Sequence, residues 1–249
     1  MVSRAAAGGD TIVAIPRARK LQTLVHDLGE SAAGESTQNN QIKIRLANSG
    51  GHRSKASYLI KTRYAWRGYK VSSLANNPAN RMTVAAFDGD RPIATITVGV
   101  DSPAGLAVES LYPAEVKALR TSGCSLCEFT KLAVDNMVRS KAVLAAIFHL
   151  AYIYAHRMRL CTDLLIEVNP RHVKFYETML GFTTCGEEKM DPRVNAPALL
   201  LRLDLSYAKA QIARLGGHVE LAGEIRLLYP YFFSTLEEKG IEGRLRAME

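Results

Sequence analysis

The segment from residue 126 to residue 168 leaves this chain few folds to choose from. β-Branched and apolar residues dominate CEFTKLAVD. A helix-length run follows from Lys141 to Arg157, with an almost wholly apolar interior, AVLAAIFHLAYIYA, and LLIEVN then reads as a second strand. A helix that is apolar all round must be covered on most sides. Strand, buried helix and strand in that order imply parallel pairing across a crossover. The expected class is α/β, with a mixed central sheet flanked by helices.

The neighbouring segments extend that sheet. QIKIRLA alternates Ile42, Ile44 and Leu46 with polar residues, as a half-buried strand does. Ala56, Ile60, Tyr64 and Val71 then recur at helical spacing on one face. MTVAAF and RPIATITVGV flank Asp88-Gly89, a hairpin signal because glycine accepts positive φ, and Ala94, Ile96, Val98 and Val100 share a face. Downstream, Asn169 and Pro170 read as N-cap and first helical residue, and Gly181 as the stop. FTTCGEE and ALLLRLDL complete the sheet, with Leu199, Leu201, Leu203 and Leu205 on one face.

These elements place the α/β domain at residues 41–205. Residues 1–40 are rich in Ala, Gly, Ser and Asn without a sustained apolar period, and are expected to form a mobile arm. Residues 206–249 read as a C-terminal helical cap, whose LLYPYFF is too apolar to be left in water. With 249 residues, 47% of them hydrophobic, the chain can bury one substantial core. No run reaches the roughly 18 uncharged apolar residues of a membrane span, and the start lacks a secretory h-region, so a cytoplasmic protein is expected.

The formal charge of +8 favours an acidic partner. The basic residues are scattered, and neither an RNA-binding aromatic signature nor zinc-finger spacing occurs, so nucleic acid is not the expected partner. An acidic protein or a phosphorylated group fits as well. Cys124 and Cys127 form a C-x-x-C pair without the second pair or spaced histidines that a structural zinc site uses, so no metal is expected.

The run IEVNPRHVKFYETMLGF carries Asn169 after a strand and Tyr176, Glu177, Gly181 and Phe182 at the close of a helix. With the order of elements, it resembles the second half of a GNAT acyltransferase. Glu128-Phe-Thr-Lys-Leu is similar to the E-x-[ST]-R-[FL] signature of acyl-homoserine lactone synthases. It is closer still to the E-x-T-K-L-A-V/I run of long-chain N-acyl amino acid synthases. That resemblance covers about residues 42 to 205. It implies a GNAT fold and transfer of a long-chain acyl group from an acyl carrier protein thioester to the α-amine of an amino acid. One departure concerns the donor. Ordinary GNAT enzymes cradle the coenzyme A pyrophosphate with R/Q-x-x-G-x-G/A at a helix start. This chain reads Arg139-Ser-Lys-Ala-Val-Leu there, and Ala142 and Leu144 would crowd a pyrophosphate. The single phosphate of a carrier-protein phosphopantetheine needs less room, so the carrier protein is the expected donor and acyl-coenzyme A the alternative, with no permanently bound cofactor.

Acyl transfer to an amine needs a neutral nucleophile, a polarised thioester carbonyl and a protonated leaving thiol. Glu128, opening the central strand where the family places its carboxylate, is the candidate base; a strand-end glutamate paired with a cation is the plain alternative. Tyr176 stands where GNAT enzymes often carry the phenol that protonates the thiolate, and is otherwise a residue packed on the sheet. Lys131 replaces the lactone-synthase arginine, keeping the charge but losing its planar fork. Three positions after Glu128, it faces the other side of a regular strand. Thr130 and Lys131 join Trp66 as candidates for the acceptor or acyl pocket. Arg139, Lys141, Asn169 and Arg171 are candidates for holding the donor, with Arg171 and Lys174 also suited to an acidic carrier surface. A lactone synthase using S-adenosylmethionine, a coenzyme A acetyltransferase and a noncatalytic binder are the rival readings. A lipid product implies possible peripheral membrane contact.

Overall fold

The computed structural model describes residues 10–17, 41–65, 80–138 and 140–249. Trp66, Val71 and Arg139, and most of the expected arm, lie outside these residues.

β1 (Thr11–Pro16) and β2 (Gln41–Leu46) begin an antiparallel run that continues through β3 (Arg81–Asp88), β4 (Arg91–Val100) and β5 (Leu126–Val134). β5 and β6 (Asp163–Val168) form the parallel pair, and β9 (Ala196–Asp204) lies antiparallel beyond β6, joined by the short β7 (Thr183–Thr184) and β8 (Lys189–Asp191). The sheet order is β1-β2-β3-β4-β5-β6-β9-β7. The Gly89 turn closes β3 on β4 with φ +59°, as the Asp-Gly dipeptide requires.

Two expectations need correction. Thr11–Pro16 is not part of a mobile arm: it pairs with β2, and Ile12 and Ile15 are buried. FTTCGEE contributes only Thr183–Thr184 to the sheet.

α1 (Gly50–Ala65) buries Ala56, Leu59 and Ile60 against Ala85, Phe87 and Ala133 on one face of the sheet. α2 (Pro113–Thr121), unassigned from sequence, covers the far end of that face with Tyr112, packed on Leu126, Leu165 and Leu200. The opposite face carries α3 (Lys141–Tyr152), which is buried almost throughout and ends in a π-helical turn, Ile153–Met158. α4 (Val173–Leu180) follows β6; the Asn169 side chain caps the turn before it, and Gly181 ends it at φ +79°. No helix among the described residues is long and apolar enough to cross a membrane.

α5 (Leu205–Leu215) and α6 (Thr235–Arg246) close over α3. Leu228 donates its amide to the carbonyl of Met179, and the Tyr229 hydroxyl donates to that of Leu180. His149 is wholly buried on α3. Its Nδ1 accepts from the Phe233 amide at 3.0 Å, which leaves Nε2–H to donate to Glu238 of α6 at 3.2 Å. Burial, against the opposing pull of Glu238, makes this imidazole harder to protonate than in the unfolded chain. The unfolded state therefore binds more protons below the ordinary value of 6.5, and stability declines as pH falls through that region. Replacing Glu238 by Ala strands the His149 donor in the core. It should lower unfolding stability by about 1–3 kcal/mol, read as a reduced urea midpoint at unchanged slope.

Candidate active site

β5 and β6 pair at only three positions, Leu126 with Asp163, Cys127 with Leu164 and Glu128 with Leu165. Both strands then run on without pairing each other, so they splay immediately after Glu128. On its other side β5 stays paired with β4, but its register slips between the Thr95–Ala133 and Thr97–Thr130 pairs. Lys131 sits in this bulge with φ +52°, and its carbonyl accepts from the Thr95 hydroxyl at 3.0 Å. The regular alternation assumed from sequence is interrupted here, between Thr130 and Ala133.

Arg81, Gly99 and Glu128 lie side by side across β3, β4 and β5. A Cβ on Gly99 would stand 3.0 Å from both Cγ and Oε1 of Glu128, so the glycine makes room for the carboxylate. Only 1% of the Glu128 side chain is exposed. Its Oε2 accepts from the Val108 amide at 3.1 Å, and its Oε1 lies 3.5 Å from Arg81 Nη2. Burial raises its pKa above the ordinary carboxylate value, against the lowering effect of the Ala107 and Val108 amides and of Arg81. The same Arg81 adds to burial in lowering the Lys131 ammonium.

A second acidic group is linked to Glu128 through Arg193, whose charge acts on both. Glu167, on β6 beyond the splay, takes both oxygens to Arg193 Nη2, at 2.6 and 2.7 Å. Arg193 also binds Asp191 and donates to the Ala107 carbonyl. Burial, reinforced by neighbouring Asp191, pushes the Glu167 carboxyl up to about 7 in spite of Arg193. Sequence reading missed Arg81, Gly99, Glu167, Asp191 and Arg193. An isolated glycine within a strand was the one local signal among them.

Tyr176 is half-buried on α4, edge-on to Phe148, Phe175 and Phe182. Burial, and then the nearby Tyr64, hold its phenol well above the usual value, so it stays protonated. Tyr64, from α1, donates to the Leu132 carbonyl at 3.3 Å just past the bulge. Thr130 is half-buried opposite Thr97.

The expected donor residues form no such cluster. The Asn169 side chain accepts from the Arg171 amide and donates to the Pro197 carbonyl, a tie between the α4 entry and β9. Arg171 is exposed, with its Nε on His172. Lys141 stands exposed at the start of α3, its ammonium 5.9 Å from the Tyr231 ring centre. No hydrogen bond or ion pair among the described residues joins Lys141 and Arg171 to each other or to Glu128.

The mixed sheet splayed beside a buried carboxylate defines a GNAT-fold N-acyltransferase. The model of the FeeM family, N-acyl amino acid synthase FeeM, matches residues 55–204, and the chain belongs to that family. It is similar to the solved structure of FeeM, an N-acyl amino acid synthase from uncultured soil microbes, at 27% identity and a TM-score of 0.62, over 68% of this chain and 94% of that one. An acyl-CoA N-acyltransferase from Pseudomonas aeruginosa follows at 11% identity and a TM-score of 0.48, covering 65% and 97%. BjaI, a CoA-dependent acyl-homoserine lactone synthase, stands at 12% and 0.46, covering 64% and 78%. No curated protein matches the chain significantly.

The Glu167 side-chain carbon, followed by 13C NMR, should titrate with a midpoint about 7. Arg193→Gln should move that midpoint upward, since it removes the cation that favours the ionised form.

Proposed function

We propose that the protein transfers a long-chain acyl group from the phosphopantetheine thioester of an acyl carrier protein to the α-amine of an amino acid. The observation that carries this reading is the splay beside Glu128, close to an apolar crevice. Phe129, Phe148, Leu180, Phe182, Tyr229 and Phe232 line that crevice, with the C-terminal cap as one wall. The crevice is nearly closed, with an open volume of about 20 Å³, so a hydrocarbon chain enters as its aromatic lining and the cap part, and is then favoured by about 0.8 kcal/mol per methylene buried. The donor assignment rests on Ala142 and Leu144 standing where coenzyme A enzymes carry glycines. A carrier-protein donor places the reaction in the cytoplasm.

The chemistry follows from the groups at the splay. The thioester carbonyl oxygen accepts from backbone amides on the unpaired edge of β5. The amine proton passes to Glu128 through Oε1, the oxygen not engaged by Val108, directly or across a water, and the neutral nitrogen attacks the carbonyl carbon. The C–N bond forms, the C–S bond breaks with the departing sulfur taking the Tyr176 hydroxyl proton, and the second proton that the nitrogen sheds as it becomes an amide returns to the Tyr176 oxygen. The raised pKa of Glu128 makes it a stronger base than an exposed carboxylate. Lys141 and Arg171 present exposed cations to the carrier's acidic surface, where charge complementarity mainly sets encounter rate.

Mass spectrometry of lipid extracts from cells producing the protein should show new N-acyl amino acids, absent with Glu128→Gln. No new lipid, together with rapid acetyl transfer from acetyl-coenzyme A in vitro, would overturn the reading. Ala208 also lines the crevice. Enlarging it to Leu should shift the products toward shorter acyl chains at a stability cost of about 1–3 kcal/mol.

A further inference from the structure

The groups around Glu128 do not balance one another. Arg81 and Lys131 are both cations, close enough for Arg81 to disfavour the Lys131 charge, and the one carboxylate beside them, Glu128, pairs with Arg81 alone. That carboxylate commits Oε2 to the Val108 amide and meets Arg81 only through Oε1, at a long 3.5 Å. Among the described residues, the half-buried Lys131 ammonium meets no carboxylate at all. On the β6 side the imbalance reverses, because Arg193 alone serves both Glu167 and Asp191. The site is thus bipolar along the sheet, with excess positive charge toward β3 and the bulge and excess negative charge toward β6 and β8.

We infer that Arg81 and Lys131 form the seat for the carboxylate of the acceptor amino acid. This rests on the acyl-transfer reading and adds how the acceptor is selected. The Arg81 fork matches a carboxylate with two parallel hydrogen bonds, and Lys131 adds a point charge. A half-buried cation without a partner is costly, so an arriving anion is held strongly there. An acceptor anchored by its carboxylate at this end directs its α-nitrogen toward Glu128 and Glu167, where the strands part. The backbone bulge sets Lys131 apart from the regular run of the strand, with its carbonyl held by the Thr95 hydroxyl. Thr83, Thr95 and Thr97, all buried, form a hydrogen-bonding floor of the same strands, with Thr83 and Thr97 joined at 2.8 Å.

The test compares L-leucine, L-phenylalanine and L-arginine with their carboxamides as acceptors for the full chain, using a palmitoyl carrier-protein thioester. The acid should exceed its amide in kcat/KM by at least about tenfold for whichever acceptors are used, the discrimination of one charge-assisted pair. Arg81→Gln and Lys131→Met should each shrink that ratio and raise the acceptor KM, with Arg81→Lys restoring part of it. Equal use of acids and amides by the unchanged protein overturns the inference without recourse to any variant. A rise in donor KM alone also overturns it, since the seat would then serve the phosphate of the donor. No product from any acceptor would instead overturn the acyl-transfer reading itself.

Discussion

β5 and β6 hold together for three residue pairs and then part, and every functional group described above takes its position from that divergence. A parallel pair of this length can separate only if something else fixes each strand. β4 holds β5 from one side, and β9 pairs with β6 along its whole length from the other. Tyr112 packs on Leu126, Leu165 and Leu200, and its hydroxyl donates to the Ala198 carbonyl at 2.8 Å, with the Glu187 carbonyl 3.1 Å away. The opening is therefore rigid at its margins, as acyl transfer requires if the carbonyl is to meet fixed backbone donors.

Beside the opening, charge is arranged to tie down a loop. Glu128 accepts from the Val108 amide, Arg193 donates to the Ala107 carbonyl, and Arg120 grips Asp101 and Glu109 on the far side of the same short turn. Three separate groups thus fasten one connection between β4 and α2. Glu128 serves both this structural tie and the proposed proton transfer, one oxygen for each.

Much of this architecture is legible in the residues themselves. The apolar run of α3, the Asp88-Gly89 turn, the Asn169 cap and the Gly181 stop are decided by local chemistry, and each is where the spacing puts it. Glu128 and Tyr176 stand out through their motifs. What escapes the sequence is set by pairing at a distance. TIVAIP is a short run beside a compositionally polar stretch, and it becomes a strand only through β2. The Lys131 bulge exists only in relation to β4, and Arg81 reaches Glu128 because two registers place Gly99 between them. Glu167, Asp191 and Arg193 assemble through the β6–β9 and β8–β9 ladders. The misread FTTCGEE had β-like composition but only two residues opposite β9.

The tie between α6 and β1 bears on the order in which the chain can be completed. Arg244 donates to the Ile12 carbonyl across 232 positions of sequence, and Ile241 and Leu245 share a core with Ile12 and Ile15. During synthesis β1 is made well before the helix that packs against it. Until α6 arrives, the side chains of Ile12 and Ile15 lack part of their apolar cover and are open to non-native contacts. The C-terminal cap thus doubles as the cover for the apolar side of β1, which stays incomplete until α6 has been made.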